Sequence, residues 1–364
     1  MIEKISLKQF AILSFMNIIG TSIIFIPTVA ANFGKQDAWI IVLIATVIGF
    51  FVISLYSVLS LKSNGKSFFE LLNRTCGKWF GSIIIIIFIS YIFLNIIANL
   101  WTISQFIAAQ ILVGTPSGVI IFIILFTTVI AVRSGLEVIT RTMEVFFPFI
   151  VLSLVLLCVF VLPEIKAENI FPVFQTDKSK LFIGGISILS FTFLELVILL
   201  GVMDQVNHTE KIKKYFLIGT LSGSLIIMIV TLLCIMVLGV DATSDYTYPI
   251  YVLGQKINIA TIIQRIEGIA AFIWFFTNFF KICTSYYVLL RGMQHVLKMK
   301  DYKVWTIPVA YLIFSGAYNG YRNAYFDFDH TTYVPITIIA GVILPILILL
   351  ATIIKKNNGQ SNKT

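Results

Sequence analysis

Two ionisable side chains stand inside apolar runs: Glu195 in IGGISILSFTFLEL (183–196) and Lys281 in QRIEGIAAFIWFFTNFFKICTSYYV (264–288). A carboxylate in the middle of an apolar span costs several kcal/mol unless it is paired, hydrated or protonated. Glu195 therefore either neutralises a cation for stability, or lines a polar cavity where it contacts a ligand amine or relays a proton. Lys281 is the candidate partner, and Asn278, Thr284 and Ser285 share its helical face at spacings of three to four residues. A second polar row, Tyr91, Asn95 and Asn99, repeats every fourth residue and so occupies one face of a helix, with Gln105 and Gln110 further along. A lone buried Asn is usually glue between helices; three aligned polar groups suit the wall of a wet cavity.

A third cluster is Gly20-Thr21-Ser22, in NIIGTSIIFIP (17–27). Small residues let helices approach closely in lipid. The same residues, with Pro27 removing a further backbone donor, also suit a local unwinding that offers backbone groups to a ligand. Gly184-Gly185, Ser190 and Thr192 interrupt the run before Glu195 in a comparable way. None of these clusters is catalytic. His208, His295 and His330 lie apart in loops, and Cys76, Cys158, Cys234 and Cys283 have no pairing or CxxC spacing. Neither a nucleophile–base arrangement nor a metal set can be assembled in the spans, so no enzyme activity, cofactor or metal is expected. What remains is ligand binding or transport.

The elements that must hold these residues follow from composition. The 364 residues are 59% hydrophobic and 12% charged, with a mean hydropathy of +0.98, where soluble domains carry about 25% charged residues. No polar stretch is long enough for a soluble domain, and no small-residue cleavage site follows the first apolar run. A bilayer core of about 30 Å needs roughly 20 helical residues per crossing. Ten spans are expected on that measure: 9–31, 38–61, 79–110, 117–132, 143–162, 181–203, 214–240, 257–291, 303–320 and 333–354. A short interfacial helix fits at 67–77 and a polar tail at 355–364.

The net charge of +9 is scattered over short loops rather than gathered on one face, which argues against a nucleic-acid partner. It fits a topology instead. Of the 26 Lys and Arg residues, 18 fall in the segments that are inside if both ends are cytoplasmic, and six in the outside loops; Arg265 and Lys281 lie within the eighth span. That is the bias of the positive-inside rule. Splitting the chain into 1–162 and 163–354 gives five spans each, with an interrupted first span and a long third one in both. An odd number of spans per half requires the halves to be inverted, an arrangement that places a site at the broken first helices.

The ordered set EKISLKQFAIL…IIGTSIIFIP, GKQDAWI (34–40), Gly-Thr-Pro (114–116), VRSGLEVITRTMEV (132–145) and QRIEGIAAFIWFF (264–276) resembles the spore germinant receptor B subunit family. That family is similar to the amino acid–polyamine–organocation transporters. Gln9, Asp37, Trp39, Arg133, Gly135, Glu137, Arg141, Glu144, Arg265 and Trp274 look like its signature positions. The resemblance implies an all-α integral membrane protein of the leucine-transporter type, with ten helices and broken first and sixth helices. It also implies a sensor of a small nutrient, often an amino acid, in the inner membrane of a bacterial endospore, working with an A subunit and a lipoprotein C subunit. The implied pocket lies between spans one, three, six and eight. It would draw on Gly20, Thr21, Ser22, Tyr91, Asn95, Asn99, Glu195, Lys281 and Thr284. The competing expectation is a proton-coupled amino acid or amine transporter of the same fold.

Overall fold

The computed structural model describes residues 3–63, 65–259, 263–264, 266–320 and 333–361. Arg265, Arg322 and His330 lie outside the described residues. Fourteen α-helices are labelled in chain order: α1 (Leu7–Gly34), α2 (Ala38–Lys62), α3 (Phe68–Cys76), α4 (Lys78–Phe106), α5 (Ser117–Ser134), α6 (Leu136–Val161), α7 (Lys178–Thr192), α8 (Ile212–Leu238), α9 (Val240–Asp245), α10 (Pro249–Lys256), α11 (Glu267–Leu297), α12 (Thr306–Ser315), α13 (Tyr333–Ile338) and α14 (Leu344–Ser361). Among the described residues, extended pairing is confined to a two-residue antiparallel ladder and a parallel bridge between Ile5 and Val206.

Eight helical stretches among the described residues are long and apolar enough to cross a membrane, and the first, Leu7–Lys62, contains both α1 and α2. The expected ninth span is helical from Thr306, with its last turn a π-helix to Gly320. Several boundaries move. The fifth helix begins at Leu136 rather than 143, and the eighth at Glu267 rather than 257, the ladder Asn258–Ile259/Ile263–Gln264 taking the place of its first turns. The interfacial helix is α3, which buries Phe68, Phe69, Leu71 and Leu72 and starts at a Ser67 cap. The end of the chain is helical to Ser361, so much of the expected tail continues α14.

The expected unwinding of the first span is absent. α1 is α-helical from Leu7 through Gly20, Thr21, Ser22 and Pro27 to Gly34. It is apolar and buried around most of its circumference, the mark of a helix central to its bundle. Its start is fixed by a capping box: Ser6 Oγ accepts from Gln9 N at 3.1 Å, and Gln9 Oε1 accepts from Ser6 N at 2.9 Å. Gln9 and Glu144 then pin it to α6, Gln9 Nε2 donating to Glu144 Oε2 at 3.2 Å beside a Lys8–Glu144 pair at 2.7 Å. The sixth span does break. α7 ends at Thr192, and residues Leu194–Gly201, including Glu195, continue as a 3-10 helix.

Asp37 has a similar anchoring role. Buried between α1 and α2, it accepts from Phe174 N at 2.6 Å and Thr176 N at 3.0 Å, tying the long connection before α7 to the first helical pair. The tightest packing on α1 is that of α8, whose Gly219 and Gly223 form a small-xxx-small face. A Cβ on Gly219 would stand 2.1 Å from the Ala11 carbonyl oxygen, and one on Gly223 2.7 Å from Ile18 Cγ2. Backbone cannot yield as a side-chain tip can. Gly219→Val is expected to destabilise the bundle by about 1–3 kcal/mol through overpacking, read as a lower thermal midpoint of the detergent-solubilised protein. Gly268→Ala, where a Cβ meets nothing within 4 Å, should not lower that midpoint and, lying in a helix, should raise it slightly.

Candidate functional site

Four of the elements above converge on a polar ring. Glu195, from the 3-10 segment, and Lys281, from α11, form an ion pair, with 4% and 1% of their surfaces exposed. Lys281 Nζ also donates to Thr21 Oγ1 of α1 at 2.6 Å. Thr21 donates to Asn99 Oδ1 of α4 at 2.6 Å. Asn99 Nδ2 donates to Asn95 Oδ1 at 3.1 Å, and Asn95 Nδ2 to Glu195 Oε1 at 3.1 Å. The ring is closed and both charges are compensated. Buried charges persist only when paired and hydrogen-bonded in this way.

The local sequence explains the convergence. Gly20 sits where the aliphatic stem of Lys281 crosses α1: a Cβ there would lie 3.0 Å from Lys281 Cδ. Its role is thus close approach, not unwinding. Thr21, next along, supplies the hydroxyl that bridges cation and amide. Ser22, about 100° further round α1, donates to the Phe191 carbonyl at 3.4 Å, close to where α7 gives way. α4 and α11 run antiparallel: Trp274 stacks edge-on against Phe106 at 4.7 Å, and Gly292 abuts Ile89. That register sets Lys281 level with Asn99, Asn278 level with Thr102 and Ser285 level with Asn95.

Not every expected residue joins the ring. Thr284 turns back to the Phe280 carbonyl of its own helix at 2.9 Å, as Thr does in helix interiors. Tyr91 lies one turn from Asn95, and its hydroxyl has no hydrogen-bond partner among the described residues. One residue was missed. Tyr333, at the start of α13, donates to Glu195 Oε1, accepts from Asn95 Nδ2 at 3.3 Å and stacks on Phe191 at 4.7 Å. Its sequence neighbourhood does not single it out: it stands at the expected edge of a span, and the one polar residue a helical repeat away, Thr337, bonds back to the Tyr333 carbonyl at 3.1 Å.

Both sides of the ring hold buried polar atoms without partners among the described residues. On the side toward Trp274 these are both amide atoms of Asn278, Thr102 Oγ1 and Trp274 Nε1; on the other, Ser285 Oγ and Tyr91 Oη. Each such group costs about 1–3 kcal/mol, and native proteins tolerate few of them. A small cavity of about 50 Å³, lined by Thr21, Ser22, Phe25, Ile26, Val29 and Phe191, adjoins the ring. It has room for about one or two waters and is far smaller than a typical ligand pocket.

The ring is closed off at both ends. Toward α10, Trp274, Phe106, Phe25, Tyr248 and Tyr251 form an aromatic plug with centroids 4.7–6.4 Å apart. Toward the chain's N-terminus, Arg291 of α11 grips Asp204 with two bonds of 3.0 and 2.8 Å and the Gly201 carbonyl at 2.6 Å. There Ile5 pairs with the 205–207 backbone, and Glu3 accepts from the Leu136 amide at 2.6 Å.

Long apolar helices packed around a sequestered polar ring define a multi-pass membrane protein. The backbone matches the crystal structure of MhsT in complex with L-phenylalanine with a TM-score of 0.67 at 15% identity, covering 94% of this chain and 87% of that one. The fold is of the leucine-transporter type. The chain belongs to the spore germination protein family, whose model matches residues 4–320. It is similar to spore germination protein YndE of Bacillus subtilis (strain 168), at 26% identity over 317 residues that cover 85% of this chain and 86% of that one. It is similar as well to spore germination protein KB of the same organism, at 23% over 304 residues, covering 82% and 80%.

Two outcomes test the site. Glu195→Gln or Lys281→Met alone leaves an uncompensated buried charge and should cost about 3–5 kcal/mol. The double variant should recover most of that loss, giving a large coupling in a double-mutant cycle of thermal or denaturant unfolding. Asn278→Leu removes two unpaired polar atoms at similar size, so it should raise the thermal midpoint. An Asn acting as interhelical glue would give the opposite sign.

Proposed function

We propose that this chain is the nutrient-sensing subunit of a spore germinant receptor, binding a small germinant at the midplane ring between α1, α4, α7 with its 3-10 continuation, and α11. Its ten spans would form two inverted halves, with both termini on the cytoplasmic side of the spore inner membrane. It would trigger germination together with an A subunit and a lipoprotein C subunit. The observation that carries this reading is the Glu195–Lys281 pair, closed into a ring by Thr21, Asn95 and Asn99 and flanked by unpartnered Asn278, Thr102, Ser285 and Tyr91.

The chemistry favours an amino acid. Its ammonium can take the place of Lys281 at Glu195 while its carboxylate takes Lys281, so that two ion pairs replace one and no charge is left uncompensated. The unpartnered amide and hydroxyl groups beside the ring are then available to the ligand's polar atoms. The exchange also supplies a switch. A ligand shifts a conformational equilibrium only by its differential affinity for the two states, and in the closed state the ring is already satisfied without it. Binding must therefore favour a state in which the ring is open.

The test is germination of spores in which this chain carries the Glu195→Gln/Lys281→Met double variant, which leaves no buried charge uncompensated, challenged with a panel of L-amino acids, sugars and nucleosides. The double variant should lose the response to the one nutrient class that the wild type answers, at normal protein levels in the spore membrane. An unchanged dose–response would overturn the assignment of the site. Transporter architecture among its structural neighbours keeps a proton-coupled amino acid or amine carrier as the second reading. Saturable, gradient-driven accumulation of labelled amino acid in proteoliposomes holding this chain alone would favour it over the receptor.

A further inference from the structure

We infer that a groove between α5 and α12 is a binding site for one anionic phospholipid, held by Arg133 at its headgroup. The groove encloses about 850 Å³. Phe122, Phe126 and Ile130, at successive turns of α5, form one wall, and Tyr311 and Phe314 of α12 line the other. Apart from half-buried Phe314, these are exposed, each at least half open to the surroundings. The polarity changes only at one end, where Arg133 closes the groove in the last turn of α5. α12 begins beside it: Tyr302 donates to the Val132 carbonyl at 3.1 Å, and Ile307, in the first turn of α12, also lines the groove. α12 continues from the 3-10 turn Tyr302–Trp305, whose own start is capped by the Asp301 carboxylate accepting from Lys303 N at 2.9 Å, so the guanidinium of Arg133 is the group at this end that calls for an anion.

The ionic state of Arg133 separates it from its neighbours. Arg74 is paired with Glu70, Arg141 with Glu137 and Arg291 with Asp204. Among the described residues Arg133 has no carboxylate within salt-bridge range. An unpaired cation at the head of an apolar groove between membrane helices is the arrangement that takes a lipid phosphate.

Length chooses between a lipid and a protein helix as occupant. From Phe122 to Arg133 the groove follows eleven residues of helix, about 16 Å at 1.5 Å per residue. That is about half of a 30 Å hydrocarbon core: one leaflet, the depth of an acyl chain. A transmembrane helix would follow the groove across both leaflets and would seek small residues, whereas bulky aromatic and aliphatic side chains form these walls. With the topology proposed above, the leaflet is the cytoplasmic one.

The experiment is native mass spectrometry of the purified full chain, titrated with phosphatidylglycerol and with phosphatidylcholine of the same acyl composition. The wild type should retain one phosphatidylglycerol at least tenfold more tightly than phosphatidylcholine. Arg133→Gln should abolish that preference, and Arg141→Gln, at the same end of the bundle but already paired, should keep it. Ile130→Trp fills the groove from an exposed position and should weaken both lipids while leaving the thermal midpoint intact, which covers the case in which Arg133→Gln fails to fold. Equal affinity for the two lipids in the wild type would overturn the assignment. So would an undiminished preference in Arg133→Gln, undiminished affinity for both lipids in Ile130→Trp, competition by millimolar glycerol phosphate, or a co-purifying polypeptide lost on Ile130→Trp.

Discussion

The bundle is organised around a carboxylate and an ammonium removed from water together. Taking either out alone costs several kcal/mol, and their mutual attraction offsets this only with good geometry and further hydrogen bonds. Those conditions dictate much of the interior. The 3-10 geometry after Thr192 brings Glu195 to the ring, Gly20 lets α11 lie against α1, and α4 turns Asn95 and Asn99 inward. Tyr333 adds a third donor to Glu195 from the far end of the chain. Five helical segments distant in sequence are therefore committed to one small volume, each by a named side chain.

Around that centre the structure alternates satisfied and unsatisfied layers. The ring itself is complete, the layers next to it carry unpartnered polar atoms, and beyond them lie the aromatic plug and the Arg291–Asp204 clasp. Complete rings are stable and unfilled polar layers are not. The energetic weak points thus sit beside the charges, where a small polar molecule has most to gain. Gln9, Asp37 and Glu144 lie elsewhere and fasten α1 to α6 and to the connection before α7, while Glu137 and Arg141 pair within α6.

How far the sequence disclosed this depended on the kind of signal. Glu195, Lys281, Asn95 and Asn99 were legible because charge and amide are costly in a span, so their presence calls for partners. Helical spacing placed the two asparagines on one face, and α11 was recognisable from its polar stripe. Gly20 was legible as exceptional but not for its reason: a glycine beside Thr and Ser fits an unwound helix and a close crossing equally well, and only the position of Lys281 decides between them. Thr284 shared the right face yet satisfied its hydroxyl on its own backbone, an option that spacing cannot disclose. Tyr333 was illegible, since its partners lie more than 130 residues away and no local periodicity points to them. The start of the eighth helix was misjudged because residues 257–263 are apolar enough for a span although part of them pairs as a ladder.

One property of the ring follows from its hydrogen-bond directions. Every bond runs away from the ammonium and toward the carboxylate, whether directly or through Thr21, Asn99 and Asn95. It is a circuit with one source and one sink. Reversing either amide would set donor against donor or acceptor against acceptor, at about 1–3 kcal/mol for each group left unmatched. The orientations of both asparagines are thus dictated by charges that neither carries. Whatever neutralises the source or the sink releases the whole circuit together, so a change at one atom is felt on α1, α4, α11 and α13 at the same moment.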